Sequence, residues 1–292
     1  MDAFEVCAVI VTYNRKELLR RCIKALQKQS YPVKEIVVVD NASSDGTSAM
    51  LDVEFPEITL LALPENTGPA GGFAAGIQCG FAEGYDWLWV FNDDARPSTG
   101  SLRRLLESAE QLRENGHRIG MLAPVAVDTS NADAVIQWQW QNRNLKRPIP
   151  FSINPVPSDI LTFNGCLISN ELVDVVGIPY SPYFMQMEEH EYALRARRTG
   201  FENFVVADRS FENDAAGGSK PWRNYYQTRN HLDMVLRRHP SWKGVFWWFI
   251  RQLKFTYGIL FVSDRKLERF RMRLLGAFHG AIGKLGRTIT PD

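Results

Sequence analysis

The sequence has few cysteines and no arrangement of them that suggests a cross-link. Cys7, Cys22, Cys79 and Cys166 are scattered, with no CxxC pair. That argues against a structural zinc site or a secreted disulfide framework and makes a reducing cytoplasm the expected compartment. Charge of one sign is also missing. Lys and Arg number 34 against 33 Asp and Glu, a net of +1, so no overall field favours nucleic acid as a partner. No stretch of about 18 apolar residues is present to span a bilayer. The nearest, Trp242 to Val262, is interrupted by Lys243, Arg251 and Lys254. The opening MDAFEVCAVIVTYN has neither the basic start nor the apolar core of a signal peptide. Internal repeats and low-complexity tracts are absent. So are the GxGxxG and GxxxxGK[ST] spacings of dinucleotide and P-loop sites.

What is present is an ordinary globular composition, 45% hydrophobic and 23% charged over 292 residues. A chain of this length holds a core without staples, as one large domain or a domain with an appendage. The first hundred residues alternate strands and helices. Val6 to Val11, Glu35 to Val39, Ile58 to Leu63 and Trp87 to Phe91 are apolar runs of the kind buried in parallel sheets. Leu18, Leu19, Cys22, Ile23 and Leu26 give the intervening helix one apolar side, with Asn14 as its expected cap and Glu17 three residues on. The rhythm predicts an α/β fold with a mostly parallel central sheet. Such sheets bind ligands at the carboxyl ends of their strands, where Asp40 and Asn92-Asp93-Asp94 fall. Further on, the pattern predicts a strand over 121–127, a polar excursion over 128–158, a strand over 161–169 and a short strand over 204–207. From Asn224 onward it is helical.

Two acidic clusters carry candidate chemistry. Asn92-Asp93-Asp94 supplies hard oxygen donors after a buried strand, which suits Mg or Mn completed by phosphate oxygens and water; Asp94, with Asp93, is the expected metal ligand. Such pairs are also ordinary loop residues. Glu188-Glu189-His190-Glu191 follows an aromatic and methionine-rich run, Tyr183 to Met187. Partial burial there would raise a carboxyl pKa, as a general base requires. Acids at a helix start also simply offset the helix dipole. The loop Asn66-Thr67-Gly68-Pro69-Ala70-Gly71-Gly72 permits close backbone approach to a ligand, or is only a tight loop.

Taken in order, these motifs resemble family 2 glycosyltransferases with the GT-A fold, over residues 6 to about 235. Val9 to Arg15 resembles that family's opening strand and loop. Ile36 to Thr47 resembles its second strand, whose aspartate, here Asp40, holds the base of the nucleotide. Asn66 through Gly76 resembles its ribose- and diphosphate-binding segment, and Asn92-Asp93-Asp94 stands where it has a metal-binding DxD. Glu188-Glu189 stands where it has an acidic pair whose second member is the general base. The resemblance therefore implies an enzyme, an inverting transferase moving a sugar from a nucleoside diphosphate. Thr12, Tyr13, Arg15, Asp40, Asn66, Gly68, Gly71, Gly72, Asn92 and Asp93 would bind the donor. A divalent metal, Mn or Mg, would sit on Asp94 and Asp93, with Glu189 as base.

Within the family the likeness is to bacterial galactofuranosyl- and rhamnosyltransferases, through Phe163 to Ile168, Glu188 to Tyr192 with Arg195, and Tyr225 to Asn230. It implies an acceptor pocket at Asn164, Gly165, Trp138, Trp140, Glu188 and Glu191. The acceptor would be a saccharide or polyprenyl-linked saccharide of cell-envelope polysaccharide synthesis. This chain departs from the pattern at three places. Asn92 replaces the first metal-binding acid, Glu189 replaces an aspartate, and a histidine after the last strand falls on Asn213, between Glu212 and Asp214. His190 reads as a surface histidine. A nucleotidyltransferase and a non-catalytic sugar-nucleotide-binding protein are the alternatives.

The expected organisation is a GT-A domain over 1–220 and a helical region over 221–292. Aromatic and basic residues between Trp242 and Arg273 suit a membrane interface, and equally a homo-oligomer contact or a packed cap. The expected location is cytoplasmic, or peripheral on the inner face of the cell membrane.

Overall fold

The computed structural model describes residues 4–128, 131–135, 139–141, 144–146, 154–213, 220–261 and 264–290. β1 (Val6–Thr12) leads to α1 (Lys16–Gln27), β2 (Glu35–Asp40), α2 (Thr47–Glu54), β3 (Thr59–Ala62), α3 (Gly68–Ala82) and β4 (Trp87–Asn92). These four strands are parallel, in the order β4-β1-β2-β3. β1 is buried along its whole length, which is why its residues are apolar without alternation. Its side chains still part to the two faces. Val6, Ala8 and Ile10 join Leu19, Ile23 and Leu26 of α1. Cys7, Val9 and Val11 join Phe73 and Ile77 of α3.

The chain continues through β5 (Ala95–Pro97), α4 (Ser101–Glu114), β6 (Ile119–Asp128), β7 (Asn131–Val135), β8 (Gln139–Gln141), β9 (Asn144–Lys146) and β10 (Val156–Pro157). It then forms β11 (Cys166–Ser169), α5 (Asn170–Val176), α6 (Glu188–Arg198) and β12 (Glu202–Asn213). Among the described residues the sheet has ten strands, and the expectation of a mostly parallel one holds for its first half. β11 lies antiparallel between β4 and β6. β12 runs parallel to β6 but antiparallel to β5 and β10. The strand expected over 161–169 begins only at Cys166, because Gly165 takes φ +73° beneath the Phe211 ring. The short strand expected over 204–207 runs through to Asn213 and pairs with β5.

Asn14 does not cap α1. It takes φ +52°, and its Oδ1 accepts from the Ser44 amide at 2.7 Å. The Lys16 amide at the helix start donates instead to Asp45 at 3.0 Å. The same carboxylate accepts from Thr47 at the start of α2, so one acid ties two helix N-termini.

α3 lies unusually close to the sheet. Gly72 abuts Val11 and Asn41, and Gly76 abuts Val9 and Val39, with no room for a Cβ at either. The C-terminal helices are α7 (Pro221–Asp233), continued by a π turn over Met234–Arg238, then α8 (Trp242–Phe261) and α9 (Lys266–Ile282). Gly276 and Gly280 of α9 touch the α7 backbone at Tyr225 and Arg229. Gly76→Ala should force α3 off β1 and lower stability by about 1–3 kcal/mol, as overpacking does. An unchanged urea midpoint in that variant would show that the contact yields freely.

Candidate functional site

The site begins where β1 and β4 end side by side. Thr12 is the last residue of β1, and its hydroxyl donates to Asp93 at 2.9 Å. Arg15, in the loop after β1, reaches both Asp93 at 3.2 Å and Asp94 at 3.4 Å. Asp93 is pushed up to about 6, chiefly by burial and also by Asp94, with Arg15 and the Thr12 hydroxyl opposing the rise. Arg223 of α7 also faces this edge, close enough to feel both Arg15 and Asp94. Tyr13 is exposed.

Asp40, at the end of β2, is buried. It accepts from the Ser43 amide at 3.0 Å and the Ser48 hydroxyl at 3.3 Å. Its neighbour Asn41 had no signal in the sequence. Its Oδ1 accepts from the Thr67 amide and hydroxyl, which fastens the glycine-rich segment to β2. Asn66 in turn accepts from the Gly68 amide at 2.8 Å.

The glycines of that segment approach the protein itself. Gly68, at φ +71°, lies against the carbonyl of Phe184; Gly71 lies against Thr67, and Gly72 against Val11 and Asn41. Glycine is needed at these places for packing. Asn66, Thr67 and Gly71 do line a cleft of about 530 Å³ with Phe184 and Arg287, but Asp40, Asp93 and Glu189 are not among its walls.

The second acidic cluster opens α6. Glu188 is 4% exposed, and its Oε2 is buried with no hydrogen-bond partner. Glu189 accepts from the Phe163 amide at 3.1 Å, which sets it against the Phe163-Asn164-Gly165 segment. Burial raises both carboxyls well above the usual carboxylate range, and the charge of Glu189 raises Glu188 further. The pair titrates as a unit.

Glu191 does not join this pocket. It is fully buried and paired with Arg195 at 3.0 Å, Arg238 at 3.2 Å and His239 at 3.5 Å, so its role is to bind α6 to the C-terminal helices. His190 is not a surface residue. It is partly buried, and burial together with nearby Arg251 pushes its pKa down to about 4, leaving the ring neutral. Asn164 and Gly165 are buried beside the Glu189 contact. Trp138 and Asp214 lie outside the described residues, and Trp140 is placed only as backbone in β8.

The loop that delivers Glu188 and Glu189 is strained. Phe184, Gln186 and Met187 have φ of 64°, 68° and 77°, a region that costs non-glycine residues about 1–3 kcal/mol each. Asn230 of α7 holds it. Its Nδ2 lies 3.0, 2.8 and 2.8 Å from the carbonyls of Tyr183, Met185 and Gln186. Arg229 donates Nη2 to Tyr183 O at 2.8 Å and Nε to Asn230 Oδ1 at 2.8 Å. The second bond fixes which end of the amide faces the loop. From the other side, the Ala70 amide of α3 donates to Phe184 O at 3.1 Å.

Among the described residues no group of three His, Cys, Asp or Glu side chains could hold a metal ion. Two carboxylates, Asp93 and Asp94, do face one edge with Arg15 across them. That set fits an Mg- or Mn-like ion which takes most of its oxygens from phosphate and water. The β12–β5 pairing carries the backbone of Asn213 opposite Ala95, one residue beyond Asp94, so the position expected for a third ligand lies beside the pair.

The family model described as glycosyl transferase family 2 matches residues 7–152. The galactofuranosyltransferase GlfT1 of Mycolicibacterium smegmatis is 30% identical over 204 residues, spanning 67% of this chain and 66% of that protein, just under two thirds of its length. The dTDP-rhamnosyl transferase RfbF of Shigella flexneri is 24% identical over 296 residues, spanning 96% and 97%. Among solved structures, S. aureus TarS 1–349 in complex with UDP-GlcNAc superposes with a TM-score of 0.63 at 16% identity, covering 94% of this chain and 81% of that one. GalNAc-T7 with UDP, GalNAc and Mn2+ has a TM-score of 0.60 at 13% identity, covering 80% and 48%. These structural likenesses bear out the expected fold.

Asn230→Ala removes the donor to three carbonyls. It should lower stability by about 1–3 kcal/mol, the cost of leaving such groups unpaired, and speed amide exchange over residues 184–189 at least about tenfold. Exchange there at the wild-type rate would show that the loop holds its shape without the clamp.

Proposed function

The chain belongs to glycosyl transferase family 2, and from that premise we propose an inverting transferase that moves a sugar from a nucleoside diphosphate to an acceptor hydroxyl. Galactofuranose and rhamnose are the favoured sugars, in keeping with GlfT1 and RfbF. The acceptor is a saccharide or a polyprenyl-linked saccharide of cell-envelope polysaccharide synthesis. The observation that carries the reading is the pairing of two unlike acid sites. One is the cation-poor pair of a buried Glu188 and a half-buried Glu189; the other is the Asp93–Asp94 edge served by Arg15 and Arg223.

Each site has its own task. Asp40 and Asn41 anchor the turn beside the nucleotide base. Thr12 serves the site by holding Asp93. Arg15 and Arg223 take the diphosphate oxygens, with the segment from Asn66 framing the ribose. A divalent metal at Asp94 and Asp93, when bound, offsets the charge that builds on the departing diphosphate. Glu189 takes the proton from the acceptor hydroxyl at its free oxygen as that hydroxyl attacks the anomeric carbon. The bond to the diphosphate breaks on the opposite side, so the centre inverts. Held by the Phe163 amide, Glu189 keeps one oxygen fixed and one available. Burial holds the pKa of Glu189 up, against the opposing pull of the Phe163 amide.

Glu189→Gln keeps shape and loses the base. It should leave UDP or dTDP binding within about twofold and lower transfer at least about a hundredfold, the usual share of a general base. Transfer at the wild-type rate would end that assignment. A screen of sugar nucleotides by thermal shift identifies the donor, because a ligand at a hundred times its Kd stabilises by about 2.7 kcal/mol.

The pH dependence has a definite sign. The base works ionised and its pKa is raised, so the rate should climb with pH through that raised value and fall away in acid. Asp93 gives a second test. Its folded pKa is above its unfolded value, so its contribution to stability is present at low pH and lost as pH rises through about 6. Asp93→Asn should therefore melt no lower than the wild type at pH 8, while weakening Mn-dependent nucleotide binding at least about tenfold. A lower melting temperature at pH 8 would show that the carboxylate is a net stabiliser.

A further inference from the structure

Between Trp242 and Ile282 lie 13 of the 17 exposed large apolar side chains among the described residues. They sit on two helices whose patterning is turned inside out. α9 exposes Leu267, Leu274 and Phe278, while its Arg269 and Arg273 are buried. Arg269 is paired with Asp264, and Arg273 reaches Thr228 and Gln252 over the Phe255 ring. α8 buries Trp248 and Ile259 and exposes Trp242, Phe246, Leu253 and Tyr257, which recur on one side of a helix with 3.6 residues per turn. A helix pair that hides arginine and shows leucine and phenylalanine is built against something apolar.

Charge says what that is. Residues 234–292 hold 12 Lys and Arg against 3 Asp and Glu, while residues 1–233 hold 22 against 30. The near-neutral chain is therefore divided, with its positive charge on the segment that shows the apolar face. Lys243, Lys254, Lys266 and Arg271 are exposed among the aromatic and aliphatic side chains. A two-fold contact with a second copy would press one positive face against another. An anionic bilayer offers an apolar layer under a negative surface, and the exposed tryptophans suit its headgroup level. No helix among the described residues is long and apolar enough to cross a membrane, so the pair would lie along the surface.

We propose that the α8–α9 hairpin is a docking surface for an anionic lipid bilayer, its aromatic and aliphatic side chains entering the headgroup boundary and its lysines and arginines pairing with lipid phosphates. The test is co-sedimentation of the full chain with vesicles of phosphatidylglycerol and phosphatidylcholine, against phosphatidylcholine alone. The wild type should partition at least about tenfold more strongly to the anionic vesicles, less so as salt is raised. Trp242→Ser with Phe246→Ser, and separately Lys243→Glu with Lys254→Glu, should each weaken binding about tenfold or more at an unchanged melting temperature. Brominated lipid should quench the wild type's tryptophan emission, a readout that stands if a variant fails to fold. No vesicle binding, equal binding to both vesicles, or full binding by either folded variant would overturn the proposal. So would a dimer in solution that the Trp242→Ser, Phe246→Ser variant abolishes, since that gives the face to a second copy. Vesicle binding is read without sugar transfer, so its failure leaves the reading of the donor site untouched.

Discussion

The site depends on one side-chain amide. Three non-glycine residues in the left-handed region lie within the four positions before Glu188. Asn230 spans three carbonyls of the strained loop, and Arg229 fixes the orientation of that amide while bonding a carbonyl itself. Each such bond contributes about 1 kcal/mol net, comparable with what each strained residue costs. The loop is therefore held by a near balance, and the balance rests on α7 being immovable.

α7 is immovable because α9 presses glycine against its backbone and the tail locks its arginine. Gly276 and Gly280 bring α9 onto Tyr225 and Arg229. Gly286 O and Thr288 Oγ1 accept from Arg229 Nη1 at 2.7 and 3.0 Å, and the Tyr226 hydroxyl donates to Ile289 O. A second tie runs from Glu191, one residue past His190, to Arg238 and His239 beyond α7. The C-terminal helices thus act on the acids of α6 through backbone geometry. The outer face of the same hairpin is the apolar, basic surface, so the support of the site and that surface share two helices.

Much of this was legible in the sequence, where burial leaves a pattern. The apolar runs of β1, β2 and β4 gave the sheet, and chain direction put Asp40, Asp93 and Asp94 at its carboxyl ends. The acids at the start of α6 announced themselves by composition. What escaped notice depended on partners far along the chain. The Thr12 hydroxyl belongs to Asp93, 81 residues away, and no local signal distinguishes that from a free hydroxyl. Gly68 and Gly72 carry the same letters whether they admit a ligand or a neighbouring chain segment. Arg229-Asn230 was visible as a motif, but its acceptors are carbonyls at 183–186, and carbonyls have no identity in a sequence. The antiparallel β11 was hidden because strand direction is set by where the chain enters after the excursion over 128–158.

The two acid pairs differ in one respect that decides what each can do. Asp93 and Asp94 have Arg15 across them and Arg223 nearby. A proton there competes with a cation already in place, so the pair is suited to exchanging positive charge with an incoming diphosphate and its ion. Glu188 and Glu189 are both raised by burial, Glu188 further by the charge of Glu189, and no described cation offsets the rise. A carboxyl so placed gains and loses a proton easily near neutrality, and is poor at holding a fixed countercharge. Environments that push like groups apart assign them to unlike work. Both pairs hold a buried acid, so it is the arginines at one and their absence, among the described residues, at the other that separate the two tasks.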